Sequence, residues 1–254
     1  MKEASRMNGK TAVCFDVNQT LVQQGLSFEQ CFRHIWEDYT ARWLQEEAPR
    51  QEDLWAEYIT RWQQRKKVRT TFKQLDELQQ QCLREALLQF GVPVSAGFAR
   101  SFMEELRGLQ VGAKTLMPRT AETLEKLAQS HRLAIISNSP RSEVLLMLGR
   151  FGLSGYFPQE HIFTAARPAD KKPAPALFRA ALHSLGVTAR QAVMVGNSWK
   201  HDVCGAVKAG MDAVWLNGAA LTTASGSRAI AEQRLGKRRV VLIRELDQLE
   251  DVLL

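Results

Sequence analysis

The chain has 254 residues, of which 45% are hydrophobic, and its formal net charge is +7. This length and composition allow a sizeable core in one large domain or two unequal ones, and no apolar run approaches the roughly 20 residues of a membrane-spanning helix. No helix-turn-helix, zinc-finger or RNP-type pattern accompanies the positive charge, so we expect neither a nucleic acid nor a membrane as a partner.

The N-terminus and the cysteines favour a reducing compartment. Residues 1–7 contain no apolar segment of the kind found in a secretory signal. The cysteines (Cys14, Cys31, Cys82 and Cys204) lie far apart and form no C-x-x-C pair. Free thiols are the simplest account of this spacing, so we expect a cytoplasmic protein. The oligomeric state has no signature in the sequence.

The first predicted element is a buried strand that ends at an acid. Residues 11–15 form a short apolar run, Asp16 ends it, and the polar residues Asn18, Gln19 and Thr20 follow. The run has the length of a buried strand. In an open α/β sheet, a carboxylate at the carboxyl end of a strand lies where ligands bind. Taken alone, the stretch is equally compatible with a plain strand end and a turn.

The next segment, residues 27–109, predicts helices and no strand. Its aromatic and aliphatic residues recur at three-, four- and seven-residue spacing, which is the period of an amphipathic helix. Gly91 and Pro93 end one of these helices, and Ser95 is suited to begin another. About four helices are expected.

After Pro118 the pattern alternates between strands and helices, which predicts a parallel, doubly wound sheet. The predicted strands are Arg132–Ile136, His161–Thr164, Ala192–Val195, Ala213–Leu216 and Val240–Ile243. The predicted helices are Arg119–Ser130, Ser142–Phe151, Pro175–Leu185, Asp202–Ala209 and Leu246–Leu253. Residues 219–237 are expected to form a loop with helical character over residues 229–235.

Polar side chains with catalytic chemistry follow four of these elements. They are Asp16, then Ser137 and Asn138, then Lys172, and last Asn197 and Asp202. Because strand ends of a doubly wound sheet converge on one crevice, we expect these groups to meet. A carboxylate supported by a lysine and a divalent cation can attack a phosphoryl group. Oxygen ligands without a His or Cys cluster suit Mg²⁺ rather than Zn²⁺.

Four stretches of the sequence, in order, resemble the motifs of the haloacid dehalogenase superfamily. They are FDVNQTL at residues 15–21, IISN at 135–138, KPAPALF at 172–178 and VGNSWKHDVCGAVKAGM at 195–211. The resemblance covers the whole chain. It implies a Rossmann-like core formed by residues 1–25 and 116–254, with a helical cap formed by residues 26–115 that closes over it.

The resemblance also implies a role for each matching residue. Asp16 would be the nucleophile that forms a covalent aspartyl intermediate, and Lys172 would steady it. The transferred group would be bound by Ser137 and Asn138, with Thr20 supporting the first loop beside them. The expected Mg²⁺ ligands are Asp16, the backbone carbonyl of Asn18, Asn197 and Asp202. The implied activity is a Mg²⁺-dependent phosphatase acting on a small phosphorylated metabolite.

Two positions depart from the pattern, and both lose a charge. Asn18 stands where superfamily phosphatases usually have the aspartate that protonates the leaving group and then activates water. An amide can do neither, and losing a general acid–base group typically costs 10²–10⁴-fold in rate. Asn197 stands where an aspartate usually ligates the metal, which predicts weaker metal binding.

These departures leave two alternatives open. Members of the superfamily that displace halide from 2-haloacids also lack the second aspartate and need no metal, although the fourth motif here keeps the long phosphatase-type form. The other alternative is a weakly active or non-catalytic protein that binds a phosphorylated ligand.

Overall fold

The structure, a computed structural model of the chain, describes residues 2–3, 6–23, 25–42, 48–65, 71–217 and 230–254. The chain folds into two compact units, Met1–Gln23 with Thr115–Leu254 and, between them, Gln24–Lys114. Within the described ranges, every strand belongs to the first unit and the second is helical. None of the described helices combines the length and the apolarity needed to cross a membrane.

The strands of the described residues alternate with helices in the first unit. The strands are β1 Lys2–Glu3, β2 Ala12–Phe15, β3 Val22–Gln23, β4 Thr115–Leu116, β5 Arg132–Ser137, β6 Ile162–Thr164, β7 Ala192–Gly196, β8 Asp212–Leu216, β9 Ala231–Leu235 and β10 Arg238–Ile243. The α-helices of both units are α1 Phe28–Arg42, α2 Gln51–Arg65, α3 Phe72–Gln89, α4 Ala96–Gly112, α5 Thr120–Ala128, α6 Arg141–Arg150, α7 Ala176–Leu185, α8 Cys204–Lys208 and α9 Leu249–Leu253.

The main sheet has the strand order β1-β9-β10-β8-β7-β2-β5-β6. From β10 to β6 all neighbours are parallel, and β2 lies between β5 and β7, with Phe15 paired to Ile135 on one side and Val195 on the other. The chain first builds outward from β2 through β5 and β6, and then returns to build β7, β8 and β10 on its other side. This reversal confirms the predicted Rossmann-like, doubly wound sheet and puts a switch point beside β2, where such sheets bind ligands.

The second unit is an all-helical insertion between β3 and β4, which pair with each other as a short antiparallel ribbon. Helices α1 to α4 bury an apolar core that includes Phe32, Trp36, Leu83 and Phe102. The entry of α3 is fixed by a reciprocal capping box between Thr71 and Gln74. Helical periodicity in the sequence therefore corresponds to packing within this unit.

The prediction of helical character at residues 229–235 is wrong for the described part of that stretch. Ala231–Leu235 is strand β9, paired antiparallel with β10 from Leu235↔Arg238 to Ala231↔Leu242. Its composition of Ala, Glu, Gln, Arg and Leu favours a helix, but the edge of β10 offers unpaired backbone groups, and pairing there overrides propensity. Residues 219–229 of the predicted loop lie outside the described residues.

Candidate active site

Side chains at the carboxyl ends of the central strands line one pocket. Asp16 comes directly after β2, Ser137 ends β5, and Asn197 follows β7. The three strands are parallel neighbours, so their carboxyl ends meet at one edge of the sheet. The pocket has a volume of about 300 Å³. Its lining residues are Asp16, Asn18, Gln19, Ser137, Asn138, Ser139, Lys172, Asn197, Ser198, His201 and Asp202.

Lys172 joins the two carboxylates of the pocket. Its Nζ atom donates hydrogen bonds to Asp16 Oδ1 at 2.7 Å, Asp202 Oδ1 at 2.6 Å and the carbonyl oxygen of Ile136 at 2.6 Å. These acceptors match the three donors of an ammonium group. The backbone of Lys172 is held as well, because its N–H donates to Asn138 Oδ1 at 2.7 Å and its carbonyl accepts from Asn138 Nδ2 at 3.2 Å. The lysine charge is therefore fixed between the carboxylates.

Burial and mutual attraction shift the ionisation of these groups. Burial raises the pKa of Asp16 above its usual value, the charge of Lys172 opposes this rise, and the carboxylate of Asp202 adds to it. For Lys172, burial acts to lower the pKa, but the two carboxylates outweigh it and the pKa is raised. Two carboxylates and one ammonium group leave a surplus negative charge at the pocket, which favours a bound cation.

The residues at the end of β7 and directly after it fix the position of the Asp202 carboxylate. The Ser198 N–H donates to Asp202 Oδ2 at 2.9 Å, so both oxygens of this carboxylate accept hydrogen bonds. Gly196 lies directly against the same side chain: a Cβ atom at residue 196 would be 2.4 Å from Asp202 Oδ2. The residue that ends β7 must therefore lack a side chain for the strand and the carboxylate to approach this closely.

The two asparagines of the pocket are each held by their amide nitrogen. Asn18 Nδ2 donates to Ser139 Oγ at 2.9 Å, and Asn197 Nδ2 donates to Gln19 Oε1 at 3.3 Å. The backbone carbonyl of Asn197 accepts from Trp215 Nε1 at 2.9 Å. These hydrogen bonds orient both amide nitrogens toward acceptors on the protein.

A tight turn brings Asn18 and Gln19 to the pocket. Gln19 has a φ of 58°, in the left-handed region that costs a non-glycine residue about 1–2 kcal/mol. The turn folds back on itself, since the Gln19 N–H donates to the Val22 carbonyl at 2.6 Å and the Leu21 N–H donates to the Val17 carbonyl at 2.9 Å. Strained backbone of this kind is held by its surroundings and is common at functional sites.

The structure brings together seven of the eight residues that the sequence singled out. Those seven are Asp16, Asn18, Ser137, Asn138, Lys172, Asn197 and Asp202. Thr20 is the exception, because it is fully buried and does not line the pocket. Its backbone N–H donates to the Val17 carbonyl at 3.3 Å, so Thr20 takes part in the turn but is not placed to contact a ligand in this pocket.

The sequence interpretation assigned no site role to several other groups at the pocket. Gln19 and Ser139 hold the two asparagines, and the Ile136 carbonyl is the third acceptor of Lys172. His201 lines the pocket, with Nδ1 3.1 Å from Ser198 Oγ. Nearness to the motif residues was the one signal available for Gln19 and Ser139, because hydrogen bonds between distant loops leave no pattern in a sequence.

The donor set of the pocket fits Mg²⁺. Mg²⁺ binds oxygen ligands, usually one or two carboxylates together with waters and substrate phosphates, and Asp16 and Asp202 supply two carboxylates here. The Asn197 nitrogen faces Gln19, so its amide oxygen is the atom suited to a cation. Among the described residues, no group of three or more His, Cys, Asp or Glu side chains forms a metal site. A cation at this pocket would therefore depend on amide and carbonyl oxygens as well as carboxylates.

Comparisons with known proteins agree with this geometry. Residues 10–210 match the family model of the haloacid dehalogenase-like hydrolases. The chain is 34% identical over 101 residues to the glyceraldehyde 3-phosphate phosphatase of Methanothermobacter thermautotrophicus, covering 39% of this chain and 44% of that protein. It is 39% identical over 89 residues to the phosphoglycolate phosphatase of Colwellia psychrerythraea, covering 35% of this chain and 38% of that protein.

A solved structure resembles the chain over nearly its full length. The crystal structure of a 2-haloacid dehalogenase from Pseudomonas syringae pv. tomato DC3000 aligns with a TM-score of 0.65 and 25% identity, covering 95% of this chain and 97% of that one. The chain spans about half the length of the curated relatives it matches. Similarity to the named phosphatases is thus confined to part of the molecule.

Proposed function

The chain belongs to the haloacid dehalogenase-like hydrolases, and we propose that it is a Mg²⁺-dependent phosphatase that acts on a small phosphorylated metabolite. The observation that carries the proposal is the buried arrangement of Lys172 between Asp16 and Asp202, with Nζ 2.7 and 2.6 Å from their Oδ1 atoms. This arrangement places the Asp16 carboxylate at the pocket and supports it with the fixed positive charge of Lys172.

In the proposed first step, Asp16 attacks the phosphorus atom of the substrate. The new O–P bond is formed by the Asp16 oxygen that accepts no hydrogen bond from Lys172. The leaving-group oxygen departs with the electron pair of the P–O bond that breaks. Lys172 offsets the negative charge that develops at the reacting centre. Ser137 and Asn138 line the same pocket and are proposed to contact the transferred phosphoryl group.

In the second step, water attacks the phosphorus atom of the aspartyl-phosphate. The O–P bond to Asp16 breaks, inorganic phosphate leaves, and the carboxylate is regenerated with the electron pair of that bond. Water loses a proton in this step, so the rate depends on a group or a solvent molecule that accepts it.

Asp16, the Asn18 backbone carbonyl, Asn197 and Asp202 are the residues that would hold Mg²⁺. When bound, the ion supplies Lewis-acid stabilisation of phosphoryl oxygens. The surplus negative charge of Asp16 and Asp202 over Lys172 supports this assignment, as does the orientation of the Asn197 amide.

A small substrate is supported by the size of the pocket and by the relatives. The pocket volume of about 300 Å³ is at the lower end of the range for small-molecule sites. Two of the similar proteins are named as phosphatases of glyceraldehyde 3-phosphate and phosphoglycolate, which are small phosphorylated metabolites. These names support a small substrate and say nothing of the leaving group that this chain prefers.

The test is phosphate release from a panel of phosphate esters and anhydrides with MgCl₂. We expect turnover that EDTA lowers and that Asp16→Asn abolishes. Asp170→Asn is a matched control, because Asp170 pairs with Arg167 outside the pocket lining, and it should retain the wild-type rate. No release from any compound, at any Mg²⁺ concentration, contradicts the proposal. Thermal stabilisation by a phosphorylated compound without its consumption would instead indicate a binding protein.

A second candidate is hydrolysis of 2-haloacids, which Asn18 and the similarity to the 2-haloacid dehalogenase favour. In that reaction Asp16 attacks the carbon that bears the halogen, and halide departs with the bonding electrons. Water then attacks the resulting ester and gives up a proton, which releases the 2-hydroxy acid and regenerates the Asp16 carboxylate. Halide leaves without a proton, so an amide at residue 18 is no loss in the first step. Chloride release from 2-chloropropionate in the presence of EDTA is the expected result, and a flat chloride assay rejects this candidate.

A further inference from the structure

We infer that this enzyme acts on phosphoryl compounds whose leaving group departs as a stable anion, such as acyl phosphates and phosphoanhydrides, and not efficiently on alkyl phosphate monoesters. The inference rests on the proposed phosphatase function and specifies its substrate class. It follows from the lack of a carboxylic acid, among the described residues of this pocket, that could give a proton to the leaving group.

Asn18 cannot act as the proton donor to the leaving group. Its side chain lines the pocket two residues after the nucleophile, and its Nδ2 atom donates to Ser139 Oγ at 2.9 Å. A side-chain amide neither gives up nor takes up a proton in the physiological range. The residue can therefore bind or orient a substrate, but it cannot protonate a departing alkoxide.

The carboxylates that line the pocket do not replace it. Within the described residues these are Asp16 and Asp202. Asp16 is used as the nucleophile. Asp202 is 1% exposed, its Oδ1 accepts from Lys172 and its Oδ2 accepts from the Ser198 N–H. Both of its oxygens thus accept hydrogen bonds from the protein, and Asp202 is also a proposed Mg²⁺ ligand, so it is not placed to protonate a leaving group.

All three donors of Lys172 are engaged, and His201 is held at one ring nitrogen. Lys172 Nζ gives its three donors to three protein acceptors and is 2% exposed. His201 Nδ1 lies 3.1 Å from Ser198 Oγ, an oxygen that also accepts from the His201 backbone N–H at 3.2 Å. This contact holds Nδ1 of His201 against its own loop.

The missing proton affects the two steps differently. In the first step the P–O bond breaks and the leaving group takes both electrons. A carboxylate or a phosphate group is a weakly basic anion and can leave without a proton. An alkoxide is strongly basic and leaves slowly unless it is protonated. In the second step water must lose a proton for every substrate alike. The aspartyl-phosphate should therefore form readily from an acyl or aryl phosphate and decay slowly.

The experiment measures kcat/KM with MgCl₂ for acetyl phosphate, p-nitrophenyl phosphate, phenyl phosphate and ethyl phosphate. Because kcat/KM reports the first step, we expect a steep dependence on leaving-group acidity, with ethyl phosphate at least about 10²-fold below p-nitrophenyl phosphate. Rapid mixing with p-nitrophenyl phosphate should give a burst of p-nitrophenol close to one equivalent of enzyme, followed by slow turnover.

Asn18→Asp and Asn197→Asp form a matched pair, because each converts an amide in the same pocket to a carboxylate. In Asn18→Asp, the ratio of kcat/KM for p-nitrophenyl phosphate to kcat/KM for ethyl phosphate should fall by about 10-fold or more. The burst of p-nitrophenol should also be smaller. Asn197→Asp should leave the ratio between these two substrates unchanged. His201→Gln should also leave the ratio unchanged.

Several outcomes would overturn the inference. If the wild-type enzyme hydrolyses ethyl and p-nitrophenyl phosphate within about 10-fold of each other, the phosphatase function stands but this inference fails. If the ratio of kcat/KM for p-nitrophenyl phosphate to that for ethyl phosphate is small in the wild type and large in His201→Gln, then His201 supplies the proton. If acetyl phosphate and all the esters are inert, the proposed function and the inference both fail.

Discussion

Lys172 Nζ lies 2.6 Å from Asp202 Oδ1, and each of these side chains is 2% exposed. A buried ion pair contributes little net stability relative to an apolar pair, because both charges lose their hydration, but removing one partner leaves an uncompensated buried charge. Here the lysine also pairs with Asp16 at 2.7 Å. The lysine therefore keeps two carboxylates close together that would otherwise repel each other.

Replacing the lysine should destabilise the fold strongly. For Lys172→Met we expect the free energy of unfolding to fall by about 3–5 kcal/mol at neutral pH, since two carboxylates lose their shared cation. The deficit should shrink in acid, where protonation removes the uncompensated charge. Urea unfolding across a pH series measures it. Arg167→Met breaks the exposed ion pair with Asp170 and should have no measurable effect, and an equal loss in both variants would contradict the prediction.

Removal of the nucleophile's charge should have the opposite effect on stability. Burial raises the pKa of Asp16, so the folded state binds this proton more readily than the unfolded state. The free energy of unfolding therefore falls as pH rises from the usual carboxyl range through the raised pKa. Asp16→Asn does not titrate and escapes this loss. In metal-free buffer its Tm should exceed the wild-type Tm at neutral pH, with the difference disappearing in acid. A lower Tm at neutral pH would reject the prediction.

Gly196→Ala should displace Asp202. The new Cβ atom would lie 2.4 Å from Asp202 Oδ2, so the strand end or the carboxylate must move. We expect a loss of about 1–3 kcal/mol from overpacking, together with a large loss of activity. Gly149→Ala is the control, because it lies in α6 with no atom within 4 Å of the added Cβ. It should stabilise the protein by about 0.5–1 kcal/mol, as measured by thermal and urea unfolding.

The central sheet was predictable from the sequence because its strands are buried on both faces. Ala12–Phe15 and Ala192–Gly196 are fully buried, so each is a continuous apolar run with recognisable ends. The strand Ala231–Leu235 lies toward the edge of the sheet and has no such run. Its pairing with β10 and β1 depends on segments that are adjacent in space, and local propensity carries no information about them.

The site was predictable as far as topology determines it. Strand order alone brings Asp16, Ser137 and Asn197 to one edge of the sheet, whatever the conformation of the loops. The bonds from Ser139 to Asn18 and from Gln19 to Asn197 depend on turn geometry, including the left-handed backbone at Gln19. The same turn keeps Thr20 out of the pocket lining, and its implied role in supporting the first loop stays a prediction.

The helical insertion should be sensitive to alkali through Tyr39. Burial and the hydrogen bond from its hydroxyl to Glu105 Oε1 at 2.7 Å raise the pKa of Tyr39 to about 12. The folded state keeps the proton, so stability is lost as pH rises from about 10, where an unfolded tyrosine ionises. Tyr39→Phe should be about 1 kcal/mol less stable at neutral pH, and this gap should narrow above pH ~10. Urea unfolding measures the gap, and phenolate absorbance should lose a group titrating at about 12.

Asn197→Asp should strengthen Mg²⁺ binding. The substitution adds a negative charge at a position whose amide nitrogen now donates to Gln19 Oε1 at 3.3 Å. A carboxylate attracts Mg²⁺ more strongly than an amide oxygen does, and we expect at least tenfold tighter binding, about 1.4 kcal/mol. Calorimetric titration of the EDTA-treated protein measures it. Asp202→Asn should weaken binding by a similar factor, because it removes a charge from the same ligand set. Equal affinities for the wild type and both variants would place Mg²⁺ away from this pocket.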